Sequence, residues 1–104
     1  MAKTYHKLIR DKIPEIIEKT GKTCRAEILS DADYLQLLDE KLSEELAEYQ
    51  ESKSLEELAD LLEVMEAVVA ARGYSWEQLM AVKDEKKAAR GGFAEKLLLL
   101  EVSE

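Results

Sequence analysis

Two clusters of acidic residues in the middle of the chain offer the side chains best suited to chemistry. Each follows the pattern acid, acid, Leu, Ala, acid: the first runs from Glu44 to Glu48 and the second from Glu56 to Asp60. Residues three or four positions apart lie on one face of a helix, so each cluster can direct several carboxylates to one side. Two such helices packed antiparallel would bring four carboxylates into one small space. Because close carboxylates repel and a hard divalent cation such as Mg²⁺ removes that repulsion, the clusters predict a metal site.

The apolar residues of the first helix predict which of its acids are buried. Four of them recur at helical spacing and define one stripe: Leu35, Leu38, Leu42 and Tyr49. Glu45 falls on this stripe, Glu48 lies at its edge, and Glu44 is predicted to face solvent. Carboxylates are rarely buried without partners, so Glu45 is the best single indication of a metal site. The alternative is that these acids decorate a solvated surface, as most glutamate-rich runs do.

The second acidic helix carries apolar residues on two sides. Its main stripe consists of Leu55, Leu58, Leu62, Met65 and Val69, and a second face of smaller residues consists of Val64, Ala67 and Ala71. Asp60 lies with the second face, and Glu57 lies between the two. A helix that is apolar on two sides is usually buried on two sides, which predicts a homo-oligomer that completes the bundle. Glu57 has an alternative role, because Ser54 three residues earlier would form a capping box with it.

The last predicted helix changes from apolar to basic along one face. Four cations continue its apolar stripe: Lys83, Lys86, Lys87 and Arg90. Lysine and arginine both suit phosphate oxygens, so this face is a candidate phosphate-binding site, which Arg10 and Lys12 could join. The alternative is that the cations balance the negative end of the helix dipole or pair with nearby acids. Acids that hold metal and cations that hold phosphate are together the parts of phosphoanhydride chemistry.

Composition argues against several other classes of function. The chain of 104 residues has a formal net charge of −8, which opposes binding to a nucleic acid polymer or an anionic membrane. One histidine, His6, and one cysteine, Cys24, offer little with which to build a zinc site, a catalytic triad or a disulfide. No apolar run is long enough to span a membrane. We expect one domain over residues 1–104 and a cytoplasmic protein.

Local signals predict a mainly α-helical chain with short β-strands near its ends. A short helix should begin around Pro14 and end at Thr20-Gly21. Three longer helices, each preceded by a capping serine, should span about 31–51, 55–72 and 76–90. The predicted strands cover residues 5–9, 22–29 and 93–102.

Three stretches of the chain together resemble a known superfamily. Glu44-Glu45-x-x-Glu48 followed by Glu57-x-x-Asp60 resembles the paired acidic motif of the all-α nucleotide pyrophosphohydrolases, which include MazG-like enzymes, phosphoribosyl-ATP pyrophosphohydrolase and dimeric dUTPases. Residues 8–14 (LIRDKIP) and 90–93 (RGGF) look like a small MazG-like subgroup labelled phosphoribosyl-ATP pyrophosphohydrolase-like. The resemblance covers nearly the whole chain and implies a MazG-like helical bundle completed as a homodimer or homotetramer.

The resemblance also implies roles for particular residues. The implied Mg²⁺ ligands are Glu45, Glu48, Glu57 and Asp60, of which Glu45 and Glu48 are the predicted catalytic residues. The implied contacts to substrate phosphates are Arg10, Lys12, Lys86 and Arg90. The implied reaction cleaves a nucleoside triphosphate between its α- and β-phosphates to give a monophosphate and pyrophosphate.

Two alternatives to a broad, house-cleaning activity on non-standard nucleotides stay open at the level of sequence. The first is a related enzyme with one narrow substrate, either phosphoribosyl-ATP or dUTP. The second is a helical nucleotide-binding or assembly module that has the same fold and releases no pyrophosphate. A fold by itself does not decide between these functions.

Overall fold

Four helices make up the regular structure of the chain in a computed structural model, which describes residues 6–104. They are α1 (Ile13–Lys19), α2 (Asp31–Ser52), α3 (Leu55–Ala71) and α4 (Trp76–Arg90). The protein is therefore mainly α-helical, as its sequence predicts, and the helix bounds agree closely with the predicted ones. Across residues 6–104, no helix combines the length and the apolar character required to cross a membrane.

Local signals start and end the helices. Ser30, Ser54 and Ser75 each occupy an N-cap position and accept a hydrogen bond from the backbone amide three residues later. Gly21, just beyond α1, has φ +87°, a conformation that would strain a residue with a side chain. Lys53 is also left-handed, with φ 59°, and this single residue ends α2 and directs the chain into α3.

Helices α2 and α3 pack along each other as an antiparallel hairpin, which is the main tertiary contact among the described residues. Arg72, just beyond α3, donates to Asp39 in α2 at 2.9 Å and so closes the end of the hairpin opposite its turn. Leu38 and Glu45, which are 2% and 6% exposed, are the only buried residues within 6–104. The core of one chain is therefore thin, and one of its two members is an acid.

Helix α3 meets α2 through its face of small residues and not through its leucine stripe. Val64, Ala67 and Ala71 are half-buried on that face, together with Asp60. Four members of the other stripe stay exposed, with values of 81% at Leu55, 42% at Leu58, 46% at Leu62 and 38% at Met65. Its fifth member, Val69, is half-buried. Small side chains let two helix backbones approach closely, which favours this face for the hairpin. Within one chain, α3 is covered on one side only, and the oligomer stays a prediction.

The β-strands predicted near the chain ends are absent from residues 6–104. Residues 22–29 and 93–102 carry no regular secondary structure, and neither do residues 6–9. Tyr5, where the first of these predictions begins, lies outside the described residues. The strand predictions were wrong because a strand needs a neighbouring segment to accept and donate its backbone hydrogen bonds, and alternation alone supplies none.

Helix α4 packs on α3 through its first turns and makes no close backbone approach to α1 or α2 in the described part of the chain. Trp76, Leu79 and Met80 are half-buried at this contact, whereas every residue from Ala81 to Arg90 is exposed. The basic half of α4 is therefore held by its own helical hydrogen bonds and not by packing.

Candidate metal centre

The antiparallel hairpin brings the two predicted acidic clusters face to face. One carboxylate oxygen from each of Glu45, Glu57 and Asp60 lies within 4.8 Å of the other two. Glu45 comes from α2, and the other two come from the first two turns of α3. A separation of three residues places Glu57 and Asp60 on the same face of α3, the face that meets α2. Three of the four predicted metal ligands therefore converge across the helix contact.

Glu48 belongs to a second group that shares Glu45 with the first. One carboxylate oxygen from each of Glu44, Glu45 and Glu48 lies within 4.8 Å of the others along α2, and Glu48 is exposed. Glu44, predicted to face solvent, keeps 39% of its side chain exposed, and its Oε1 lies 3.5 Å from Lys41 Nζ. A cation one turn earlier on the helix attracts this carboxylate along the helix surface.

Among the acids of the group, Glu45 has the negative charge that its surroundings stabilise least. Its Oε1 lies 3.4 Å from Lys41 Nζ, while its Oε2 is buried without a hydrogen-bond partner within residues 6–104. Burial raises the pKa of Glu45, the adjacent carboxyl of Glu48 raises it further, and Lys41 acts in the opposite direction. A buried carboxylate oxygen without a partner costs free energy, and a cation beside it would offset that cost.

Glu57 also has a buried oxygen, Oε2, without a hydrogen-bond partner among the described residues. In a capping box this carboxylate would accept the backbone amide of Ser54, but that amide donates to Ser52 Oγ at 3.2 Å. The Ser54 hydroxyl still accepts from the Glu57 amide at 3.3 Å, so the helix keeps its cap. The Glu57 carboxylate is therefore free of the cap and faces the acidic group.

Two cations lie against the acids. Arg10 Nη2 donates to Asp60 Oδ1 at 2.6 Å, which ties the segment before α1 to α3 and brings one predicted phosphate contact to the edge of the group. Lys41 contacts both Glu44 and Glu45 and was missed by the sequence analysis. The available signal was its spacing, because residues three and four positions apart share a helix face.

The other three predicted phosphate contacts do not meet the acids in one chain. Lys12 is the exposed N-cap residue of α1. Lys86 and Arg90 lie on the exposed half of α4, and neither forms an ion pair within residues 6–104. Lys86 and Arg90 lie away from the acidic group because α4 packs on α3 through its half-buried first turns.

Comparison with known proteins shows a relative that matches part of the chain. The chain matches no known protein-family model and no solved structure. Over 41 residues it is 51% identical to an uncharacterized protein from Mycolicibacterium smegmatis. The match covers 39% of this chain and 42% of that protein, so it spans less than half the length of either.

Proposed function

We propose that this protein is a Mg²⁺-dependent nucleoside triphosphate pyrophosphohydrolase, which releases pyrophosphate by cleavage between the α- and β-phosphates. The observation that carries the proposal is the convergence of Glu45, Glu57 and Asp60 within 4.8 Å, with a buried oxygen on each glutamate that has no hydrogen-bond partner in the described part of the chain. The resemblance of the sequence motifs to MazG-like and phosphoribosyl-ATP pyrophosphohydrolase-like proteins supports the same reaction.

The donor set fits Mg²⁺. Both groups contain carboxylates alone, and hard oxygen donors are what Mg²⁺ prefers. Magnesium–oxygen distances are about 2.0–2.1 Å, so oxygens on opposite sides of the ion lie about 4 Å apart, a separation that falls inside the 4.8 Å limit of the cluster. Glu45, Glu57 and Asp60 would hold the ion, and Glu48 would join them from the exposed edge.

The residues around the metal ligands have distinct parts in the proposed reaction. When bound, Mg²⁺ offsets the charge of the triphosphate and lowers the pKa of a coordinated water. Glu48 lies beside Glu45 in the exposed part of the cluster, where its carboxylate can accept the proton of the attacking water. Arg10 presents a half-exposed guanidinium at the edge of the group, with donors suited to phosphate oxygens. Lys41 partly offsets the charge of Glu45.

The remaining cations stay part of the proposal as phosphate contacts. Lys12, Lys86 and Arg90 are all exposed, which leaves their side chains available to a ligand. In a homodimer or homotetramer, the cationic half of α4 would also be available to the metal centre of a neighbouring copy. Both Mg²⁺ and nucleotides are abundant in the cytoplasm, the proposed location.

Pyrophosphate release from each common ribonucleoside and deoxyribonucleoside triphosphate, from dUTP and from phosphoribosyl-ATP tests the proposal in the presence of Mg²⁺. We expect release by the wild-type protein that disappears with EDTA and with Glu57→Gln. Glu63→Gln is the matched control, because it removes the same charge from an exposed position of the same helix. This control should retain activity.

The other possible outcomes of this substrate panel would support different conclusions. Release that survives Glu57→Gln would overturn the assignment of the acidic group as the site. Release from phosphoribosyl-ATP or dUTP alone would define a narrow enzyme of the same reaction class. No release from any substrate would favour the non-catalytic helical module.

A further inference from the structure

The segment before α1 reaches the candidate metal centre through an arginine side chain. Arg10 Nη2 donates to Asp60 Oδ1 at 2.6 Å, a short hydrogen bond between opposite charges. Asp60 is also one of the three acids whose oxygens converge within 4.8 Å. The guanidinium and a divalent cation are therefore both suited to the same carboxylate.

Arg10 compensates the charge of Asp60 and leaves two oxygens of the same group unsatisfied. Glu45, which is 6% exposed, and Glu57 each keep a buried Oε2 that has no hydrogen-bond partner in the described part of the chain. The guanidinium at the edge of the group does not reach these two oxygens. An ion among the three acids would contact all of them, which gives it an advantage over Arg10.

The contact between Arg10 and Asp60 can be exchanged at low cost. The two side chains are 58% and 43% exposed, so water reaches both of them. Exposed ion pairs contribute little to stability, because water solvates the separated charges almost as well. Helix α1, which follows Arg10, makes no close backbone approach to α2, α3 or α4 within the described residues. Release of Arg10 therefore disrupts no helix packing.

A divalent ion held by Asp60 would repel the Arg10 guanidinium. Both positive groups would lie beside one carboxylate, and the charge of Mg²⁺ doubles the Coulomb repulsion that a monovalent ion would exert there. The ion also gains Glu45 and Glu57 as ligands, whereas Arg10 gains neither. The exchange on Asp60 therefore favours Mg²⁺ and leaves the donors of Arg10 without a carboxylate.

We propose that Arg10 is a metal-responsive positioning residue, which competes with Mg²⁺ for Asp60 and contacts the substrate phosphates once the ion displaces it. This inference rests on the proposed function, because it uses the same Mg²⁺ site and the same triphosphate. Mg²⁺ releases the donors of Arg10, and a triphosphate bound to those donors prevents their return to Asp60. Metal and nucleotide therefore bind with positive cooperativity.

The affinity for Mg²⁺ in the absence of nucleotide tests the competition without any catalysis. In isothermal titration, Arg10→Ala should bind Mg²⁺ about fivefold more tightly than the wild type, the upper range for loss of an exposed ion pair. Lys12→Ala is the matched control, because it removes a positive charge from an exposed residue of the same segment that forms no ion pair with the acids of residues 6–104. Its Mg²⁺ affinity should stay within about twofold of the wild type, because solvent screens a charge that makes no contact.

Steady-state kinetics at saturating Mg²⁺ separate this competition from damage to the fold. Arg10→Ala should raise the KM for the nucleoside triphosphate about tenfold, because the phosphates lose a charged donor, although the same variant binds Mg²⁺ more tightly. Lys12→Ala should raise the KM without tightening Mg²⁺ binding. A variant that is merely misfolded would bind both ligands more weakly.

The guanidinium of Arg10 also gives a direct signal in the wild-type protein. Its Nε–Hε resonance in nitrogen-15 NMR, identified by its loss in Arg10→Lys, should shift during an Mg²⁺ titration with the same midpoint as the heat of binding. In Asp60→Asn without Mg²⁺, the resonance should already lie close to its Mg²⁺-saturated position, because the carboxylate that holds Arg10 has been removed.

The contrary results distinguish this inference from the proposed function. If the wild type binds Mg²⁺ but Arg10→Ala binds it no more tightly, the competition is overturned and the metal centre stands. Equal tightening in Lys12→Ala would overturn the competition in favour of a general effect of charge. An unchanged KM in Arg10→Ala would overturn the contact of Arg10 with the phosphates. No Mg²⁺ binding by the wild type would overturn the metal centre itself, and the competition with it.

Discussion

Helices α3 and α4 begin with the same local pattern and use it differently. Each has serine at the N-cap and a residue with a long polar side chain three positions later, Glu57 in α3 and Gln78 in α4. In α4 the capping box is complete, since Gln78 Oε1 accepts the Ser75 amide at 2.8 Å. In α3 the corresponding amide donates to a different residue, and the Glu57 carboxylate faces Glu45 across the hairpin instead.

The difference traces to the residue two positions before each cap. In α3 this residue is Ser52, whose hydroxyl accepts a hydrogen bond from the Ser54 amide at 3.2 Å. In α4 it is Gly73, which has no side chain to offer. A neighbouring hydroxyl can therefore release a capping side chain for another use while the backbone amide stays satisfied. A functional carboxylate can thus occupy a position where sequence rules alone assign it to the helix end.

The largest expected effect comes from exchanging the two side chains. Glu57→Gln should weaken Mg²⁺ binding about 100-fold or more, because it removes a charged ligand from the cluster. Gln78→Glu should retain the α4 capping box and create no additional Mg²⁺ site, because no other acid converges there among the described residues. Isothermal titration with Mg²⁺ measures both. Equal affinities in the wild type and in Glu57→Gln would break the distinction between the two helix starts.

The next effect concerns whether the ionised Glu45 carboxylate stabilises or destabilises the folded protein. Because burial raises its pKa in the folded protein, ionised Glu45 opposes folding when no metal is present. Stability relative to Glu45→Gln should therefore fall as pH rises from the ordinary carboxyl range through the raised pKa of the folded state. Mg²⁺ should reverse this at neutral pH in the wild type and have no such effect in Glu45→Gln.

Urea unfolding between pH 4 and pH 7, with EDTA and with Mg²⁺, measures the effect of Glu45. Glu40→Gln is the matched control, an exposed acid on the same helix outside both acidic groups. Glu45→Gln should also abolish pyrophosphate release while helix content is retained. If the difference in the free energy of unfolding between the wild type and Glu45→Gln does not change with pH, the buried Glu45 carboxylate does not have the destabilising effect assigned to it.

A smaller effect is expected at the complete capping box. Gln78→Ala removes the acceptor of the Ser75 amide and should lower the free energy of unfolding by about 0.5–1 kcal/mol. Thermal and urea unfolding measure this loss, and Mg²⁺ affinity should not change, since α4 contributes no ligand. A change in Mg²⁺ affinity in this variant would show that the two helix starts are coupled.

The smallest expected effect is the sharpest test of the proposed cause. Ser52→Ala removes the hydroxyl that accepts a hydrogen bond from the Ser54 amide. The Glu57 carboxylate is then expected to accept that amide instead and close the capping box. The competition should weaken Mg²⁺ binding about twofold, the equivalent of about 0.5 kcal/mol for one weak hydrogen bond. Ser43→Ala, a serine elsewhere on the exposed surface of α2, is the control. Unchanged affinity in Ser52→Ala would mean that the capping competition is not what positions Glu57.

The candidate site shows where sequence reasoning succeeds and where it stops. Glu45 could be predicted as buried because it interrupts an apolar stripe at helical spacing, and the structure confirms that burial. The contact between Arg10 and Asp60 could not be derived from periodicity, because fifty residues separate the two positions. The basic half of α4 illustrates the opposite case, since its regular spacing predicted a site that one chain does not bring to the acids.

By itself, the sequence determined the helices and their ends. Hydroxyl caps, left-handed residues such as Gly21, and helical spacing act over one turn, so a few neighbouring residues settle them. Only the tertiary structure decided which of the two apolar faces of α3 meets α2, and with it whether Glu57 and Asp60 face Glu45. That choice depends on close packing between segments that are distant in sequence. Local hydrogen bonds and residue spacing do not determine such packing.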